Sequence, residues 1–255
     1  LMPVLRTLSL LAVCSFPLLS TAAIAQQNRN FEPPQGFLYG VGVGVNQEIY
    51  QGYKRRVIPL PLVGYRGDKL SVFGPFVSYE LAKANDVSLS AKLSPRFAGY
   101  DEGDSDVFVG MKRKSSLDAG IGLQYKVDNW TLDTEALTDV LGNSNGQELK
   151  LKVSYGLRFG PLQVSPELGV SYSSGKLVNY YYGVQPNEAT AQRPAYRASD
   201  AVNYHTGLAF STPVLFGGMT RLGVQYHWYD NSIANSPLTD RDSGVSAFLA
   251  WSRFF

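Results

Sequence analysis

Between residues 147 and 172 apolar and polar side chains alternate with hardly a slip. Leu149, Leu151, Val153, Tyr155, Leu157 and Phe159 share one face, and Glu148, Lys150, Lys152, Ser154, Gly156 and Arg158 share the other. After Gly160-Pro161 the alternation resumes, with Leu162, Val164, Pro166, Leu168, Val170 and Tyr172 set against Gln163, Ser165, Glu167, Gly169 and Ser171. A two-residue period is that of a strand, because successive side chains leave a pleated backbone on opposite sides. Strands of soluble proteins usually stop after about five or six residues. These run about twice as far, close to the roughly nine to eleven tilted residues that cross a bilayer.

The same pattern recurs along the chain. Residues 37–45 place Phe37, Tyr39, Val41, Val43 and Val45 on one face and a row of Gly40, Gly42 and Gly44 on the other, which suggests close approach or sharp curvature. Further strands are expected over 56–65, where Pro59 and Pro61 blur the alternation, over 69–73 and 76–81 about a Gly74-Pro75 hinge, and over 87–97, 117–127, 130–140, 202–210, 221–229 and 244–254. Short turns at Gly67-Asp68, Asn85-Asp86, Asp128-Asn129, Gly160-Pro161 and Gly217-Gly218 all fall at one end, and long loops, the longest over 173–199, at the other. That asymmetry is the one periplasmic turns and external loops show in outer-membrane barrels. Aromatic residues near strand ends, among them Tyr39, Tyr65, Phe97, Trp130, Phe159, Tyr172 and Trp228, suit interfacial girdles. The expected fold is therefore all-β: a transmembrane antiparallel up-and-down β-barrel over residues 37–255. It would have about twelve strands if Gly74-Pro75 reverses the chain, and about ten if it does not.

The two ends of the chain bear on where such a barrel would sit. Arg6, an apolar run over 8–19 and the small-x-small site Ala23-Ile24-Ala25 read as a cleavable signal peptide over 1–25, followed by a short periplasmic lead over 26–36. The only cysteine, Cys14, lies inside that signal, so no disulfide is expected in the exported chain. Val245, Ala247, Leu249, Trp251 and the final Phe255 form an alternating strand with an aromatic last residue, which resembles an outer-membrane assembly signal, although Arg253 departs from its usual apolar pattern. A formal charge of +2 gives no sign of a nucleic-acid partner.

If the apolar faces meet lipid, the opposite faces line a lumen. That lumen would hold Lys92, Arg96, Asp118, Lys126, Asp133, Glu135, Asp139, Glu148, Lys150, Lys152, Arg158, Glu167 and Arg221. Mixed signs favour paired charges in a narrow interior over a wide pore of one sign. His205 and His227 fall on neighbouring strands, but no G-x-S-x-G elbow accompanies them, and no catalytic set is assigned. Asp101, Glu102, Asp104 and Asp106 form an acidic loop that lacks the glycine and terminal glutamate of a dedicated calcium loop. No dinucleotide, phosphate-loop or zinc spacing is present, so neither cofactor nor metal is expected. Tyr180, Tyr181 and Tyr182, with Tyr196 in the same long loop, are read either as an exposed contact surface or as residues that fold back over the barrel mouth.

Tyr53, Pro59 to Pro61 leading to Tyr65, Gly110-Met111, Thr138-Asp139 with Gly142, Ser144 and Gly146, the run Tyr180-Tyr181-Tyr182-Gly183-Val184, and Ser236-Pro237-Leu238 together resemble the MipA/OmpV family of outer-membrane proteins. The resemblance spans nearly all of the chain after the signal. It implies an outer-membrane barrel embedded in lipid, with some members described as scaffolds joining a lytic transglycosylase to a penicillin-binding synthase and others as porin-like or as adhesins. It carries over no enzymatic residue. The expected function is thus a non-enzymatic scaffold for cell-wall enzymes, with a narrow channel gated by the loop over 173–199 as the alternative.

Overall fold

The computed structural model describes residues 35–255 apart from Glu48, residues 53–55, Ala98, Gly99, Asp101 and Asp104. The signal segment, most of the lead, Tyr53, and Asp101 and Asp104 of the acidic loop lie outside the described residues.

Thirteen strand segments follow one another: β1 (Gly36–Asn46), β2 (Arg56–Arg66), β3 (Leu70–Phe73), β4 (Phe76–Ala84), β5 (Val87–Arg96), β6 (Ser116–Val127), β7 (Trp130–Asp139), β8 (Gln147–Tyr155), β9 (Leu157–Phe159), β10 (Leu162–Ser173), β11 (Ala201–Leu215), β12 (Gly218–Trp228) and β13 (Ser243–Phe254). Apart from β8 and β9, consecutive segments pair antiparallel, and β13 returns to β1, where Val41 faces Trp251, so the sheet closes on itself. β8 and β9 both pair with β10, so they are one wall strand interrupted at Gly156, whose N–H donates to Asn129 O at 2.8 Å. Thirteen segments less that one interruption give a closed twelve-stranded barrel. The hinge at Gly74-Pro75 is a true reversal, since β3 and β4 pair antiparallel across it. No helix among the described residues is long and apolar enough to cross a membrane.

Closure matters because hydrocarbon offers no partner to a free backbone edge. The apolar face of each strand points outward, as Leu168 at 66% exposure shows, so the exterior is a continuous apolar belt. Phe37, Tyr39, Tyr65, Trp251 and Phe255 gather at the end that carries the short turns, with Phe37 and Tyr65 ring centroids 5.1 Å apart. The inner glycines reflect contact. A Cβ on Gly40 would lie 2.1 Å from the Trp251 carbonyl oxygen, and one on Gly169 would lie 2.1 Å from the His205 ring.

Turn chemistry agrees with the reversals. Asn85 and Asp128 adopt φ 49° and 51°, a left-handed region their short polar side chains tolerate, while Gly74 (φ 55°) and Gly160 (φ 58°) each precede a proline, as the first central position of a type II′ turn favours. One turn lies a residue earlier than its sequence suggests. Phe216 (φ 50°) and Gly217 (φ 66°) make it, and Gly218 already opens β12. β11 also runs to Leu215, past the expected end at Phe210, because an irregularity between Thr212 and Leu215 absorbs Pro213 and lets the pairing continue.

The wall is not of uniform height. β3 has four residues and meets β2 only from Gly64 to Arg66. The buried apolar clusters lie at the long-loop end, over one mouth: Tyr50, Tyr100, Phe108, Met111, Val184 and Leu238 form one, and Ile49, Val178, Ala198, Ile233 and Ala201 at the head of β11 a second.

Candidate functional site

The site is the lumen and the lid that closes its long-loop end. The lid is built from helix α1 (Gly175–Tyr182), helix α2 (Asn231–Ala234) and the loop that follows β5. Leu177, Val178 and Tyr181 recur at helical spacing and form the buried face of α1. The helix stops where Gly183 N–H donates to Asn179 O at 2.9 Å. Asp230 caps α2 by accepting the Ser232 N–H at 2.8 Å.

Two arginines staple these loops together. Arg113 donates to both Glu188 oxygens, at 2.8 and 2.9 Å, to Gly183 O at 3.1 Å and to Tyr180 O, and its guanidinium sits 5.6 Å from the Tyr180 ring centroid. Arg193 donates to the Glu188 and Val107 carbonyls and, at 3.2 Å, to Val109 O. A third loop joins through Ser236, whose hydroxyl donates to Tyr182 O at 2.6 Å, and through the Tyr196 hydroxyl, which donates to Ser232 O at 3.0 Å. Burial alone would raise the Glu188 pKa, but the Arg113 hydrogen bonds outweigh it and hold the carboxyl below its ordinary range. Burial pushes the Tyr100 phenol up to about 12. Full burial of Phe108 and Met111 contributes roughly 1.5–3 kcal/mol each.

The tyrosine run belongs to this lid and does not form an exposed patch. Tyr181 is buried, Tyr182 stacks on Tyr50 at 5.4 Å, the Tyr180 hydroxyl accepts the Lys114 N–H at 2.9 Å, and Tyr196 packs against both apolar clusters. Of the acidic loop, Glu102 accepts the Gly110 N–H at 2.9 Å, and no group of three metal-ligating side chains occurs among the described residues.

Below the lid the polar faces of β5, β6, β7, β8 and β10 form a ladder of ion pairs. Arg96 bridges Asp118 and Glu148, each at 2.6 Å, and Lys150 also reaches Glu148 at 3.1 Å. Lys92 pairs with Glu135 at 3.5 Å, and Lys152 lies between Asp133 at 3.6 Å and Glu167 at 3.8 Å. Lys126, Arg158 and Arg221 stand on the same inner face nearer the short-turn end, with no salt-bridge partner among the described residues. Asp139, placed with the lumen charges by alternation alone, has a different task. Its carboxylate accepts N–H groups from Leu141, Gly142, Ser144 and Asn145 and the hydroxyls of Ser116 and Ser144, and so folds the loop over 140–146. The T-D-x-x-G-x-S-x-G motif is therefore a loop-closing device.

Between ladder and lid lies a cavity of about 290 Å³, lined by Arg96, Phe97, Glu148, Tyr181, His227 and Tyr229 among others. His227 Nε2 is 3.1 Å from Ser246 Oγ and the His205 ring is 5.6 Å away, but among the described residues no carboxylate is hydrogen-bonded to either imidazole. A serine–histidine contact without an orienting acid is not the arrangement of an activated nucleophile.

A closed twelve-stranded barrel with an apolar exterior, a charge-filled lumen and a stapled lid defines an outer-membrane β-barrel protein. The chain belongs to the family described as MltA-interacting protein MipA, which it matches over residues 39–255. It is 30% identical over 214 residues to a putative outer membrane protein YiaT of Escherichia coli K12, covering 81% of this chain and 86% of that one. Against a protein of the same organism named MltA-interacting protein it is 30% identical over 209 residues, covering 80% and 84%. Against the outer membrane protein OmpV of Vibrio cholerae it is 29% identical over 180 residues, covering 69% and 70%. Among solved structures, the NanC porin covers 85% of this chain at a TM-score of 0.45 and 9% identity, with 99% of its own chain aligned. The protein accordingly resides in the cell outer membrane.

Proposed function

We propose that the protein is a non-enzymatic outer-membrane anchor that presents its short-turn face to periplasmic cell-wall enzymes, a lytic transglycosylase first and a penicillin-binding synthase second. The observation that carries this reading is the stapled lid above a cross-linked lumen, since a barrel fixed in this way is suited to holding a partner more than to passing solute. A family relative named MltA-interacting protein supports the choice of partner. In this reading residues 1–25 direct export and are removed, and residues 26–36 add to the periplasmic surface. Purified barrel immobilised on a column retains the transglycosylase and carries no ion current in planar bilayers. Steady conductance without retention contradicts it.

A second reading, a narrow channel gated by the loop over 173–199, is favoured by the cavity directly beneath α1, which places Arg96, Glu148 and His227 where a small polar solute released by the lid would meet them. Single-channel recording before and after Arg113→Ala separates the two. Loosening the lid raises conductance in a channel and leaves a sealed anchor silent.

A further inference from the structure

Between β2 and β5 the barrel wall has a notch. The hairpin of β3 and β4 that fills this sector is short, turns back at Gly74-Pro75, and leaves β2 without a described neighbour on that side from Arg56 to Leu62. On the other flank, β4 begins pairing with β5 only at Leu93, so Ser94 to Arg96 have no β4 partner either. The notch lies in the half of the wall nearer the long loops, the outer leaflet in the orientation the short turns define. Val57 at 63% and Val63 at 67% exposure set its β2 flank in the apolar belt.

A gap of this kind in hydrocarbon leaves backbone groups with no partner among the described residues, and the sequence answers with proline. Backbone groups of one residue point to the same side of a strand and alternate from residue to residue. Val63 O accepts the Gly74 N–H at 2.8 Å, so the odd-numbered residues of β2, Pro59 and Pro61 among them, aim their backbone at the notch. Asp86 O accepts the Lys126 N–H at 2.8 Å, so the even residues of β5 face β6 and the odd ones, Pro95 included, face β4 and the notch above it. Three prolines thus stand where an N–H would point into the gap, and none interrupts a ladder. Proline edges also reject an added strand, which excludes a docked peptide strand as the occupant.

Behind the notch the lumen wall is apolar on the β1 to β4 side, with Arg66, Ser71 and Ser78 on that face only nearer the short turns, and charged on the β5 side, where Arg96 stands. Leu38, Ile58, Leu60, Leu62, Phe73 and Phe76 fall on the inner face of β1 to β4, in contrast to the ion pairs of β5 to β10. Phe97, at the head of β5, both lines the cavity under α1 and is 65% exposed, so the cavity reaches the rim of the gap.

We propose that the notch is a lateral port, through which an aliphatic chain passes between the outer-leaflet hydrocarbon and the apolar half of the lumen. The ligand class is a hydrocarbon or acyl chain, supplied by a bilayer lipid or by a free fatty acid dissolved in the bilayer. The proposal stands apart from the scaffold reading, since a port into lipid conducts no ions and leaves the short-turn face untouched.

The test uses the full barrel without residues 1–25, which therefore has no native cysteine, refolded in vesicles and carrying a bimane fluorophore on one introduced cysteine: Leu60→Cys on the inner apolar wall, Lys150→Cys on the inner charged wall, or Val63→Cys on the exterior. Bromine on an acyl chain quenches bimane on contact. With dibrominated phosphatidylcholine, fluorescence at Val63→Cys falls, and the port predicts a fall of comparable size at Leu60→Cys and none at Lys150→Cys. Dibromostearic acid added to unbrominated vesicles is the second arm. Quenching at Leu60→Cys in both arms identifies bilayer chains as able to enter, and quenching in the second arm alone identifies a free fatty acid. Absence of quenching at Leu60→Cys in both arms, with Val63→Cys quenched, overturns the port, as does equal quenching at Lys150→Cys. Cooperative unfolding of each labelled variant at the parent's denaturant midpoint shows that the barrel has formed.

Discussion

Replacing Arg96 is the most direct challenge to the lumen described above. Its guanidinium lies 2.6 Å from both Asp118 and Glu148, whose side chains are 4% and 11% exposed. Arg96→Met keeps the length of the side chain and removes the charge, which strands two carboxylates that water reaches poorly. Breaking a buried pair by deleting one partner costs about 3–5 kcal/mol, because the remaining charge is left uncompensated. Lys150, 3.1 Å from Glu148, relieves part of that burden, so the lower half of the range is expected. Among the described residues Asp118 has no second cation, and one of its oxygens already lacks a partner. The assay is guanidinium-induced unfolding of the barrel in lipid vesicles, followed by tryptophan emission. The triple replacement of Arg96 by Met, Asp118 by Asn and Glu148 by Gln recovers most of the loss, since neutral packing in place of a buried ion pair is often close to neutral in stability. A loss of less than about 1 kcal/mol for Arg96→Met alone, the range of an exposed pair, means instead that the lumen is well hydrated at this height and that Arg96 does not hold it together.

Four further outcomes follow from the same structure. Pro61→Ala restores an N–H that points into the notch, and in lipid it lowers stability by roughly 1–3 kcal/mol, the cost of an unpaired buried donor; a stabilised variant in the vesicle unfolding assay contradicts the assigned edge. Phe216 holds φ 50° at 83% exposure, so Phe216→Asn, which makes the Asn-Gly pair favoured in this hairpin turn, raises stability by about 1 kcal/mol in the same assay. Glu188 has a folded pKa below its ordinary 4.5, so its contribution to lid closure is complete above that value and is lost as pH falls through the lower folded value; protection of residues 174–200 from hydrogen exchange, taken against the free-chain rate at each pH, therefore holds at pH 5 and falls only in stronger acid, and Glu188→Gln removes that fall. Asp139→Ala frees several N–H donors at once and speeds exchange over 140–146, leaving β7 and β8 protected.

The wall was legible in the sequence because its signal is local. Lipid outside and paired charge inside impose a two-residue period that any stretch such as 147–172 displays, and the turns carry their own chemistry in Asn85, Asp128 and Gly160-Pro161. Strand ends were less legible where pairing tolerates an irregularity: nothing in Ser211-Thr212-Pro213 announces that β11 continues to Leu215. The lid was not legible, because its loops have no period and its decisive contacts join distant residues, Arg113 with Glu188 and Arg193 with Val107. Alternation also misplaced Asp139, since a carboxylate on the polar face at a strand end serves a loop as readily as a lumen. Pro59 and Pro61 first read as noise in a strand, and the pairing register gives them a meaning as the treated edge of a gap.

Wall, lumen and lid take the roles described here only if the apolar face of the strands meets hydrocarbon. Spin labels placed singly at Leu151, Leu168, Lys150 and Lys152 of vesicle-embedded protein, with relaxation by oxygen compared with relaxation by a water-soluble nickel chelate, measure that directly. Oxygen, which concentrates in lipid, dominates at Leu151 and Leu168 and not at Lys150 or Lys152 if the apolar face is outermost. Oxygen dominance at the two lysine positions, with nickel reaching the two leucines, contradicts it.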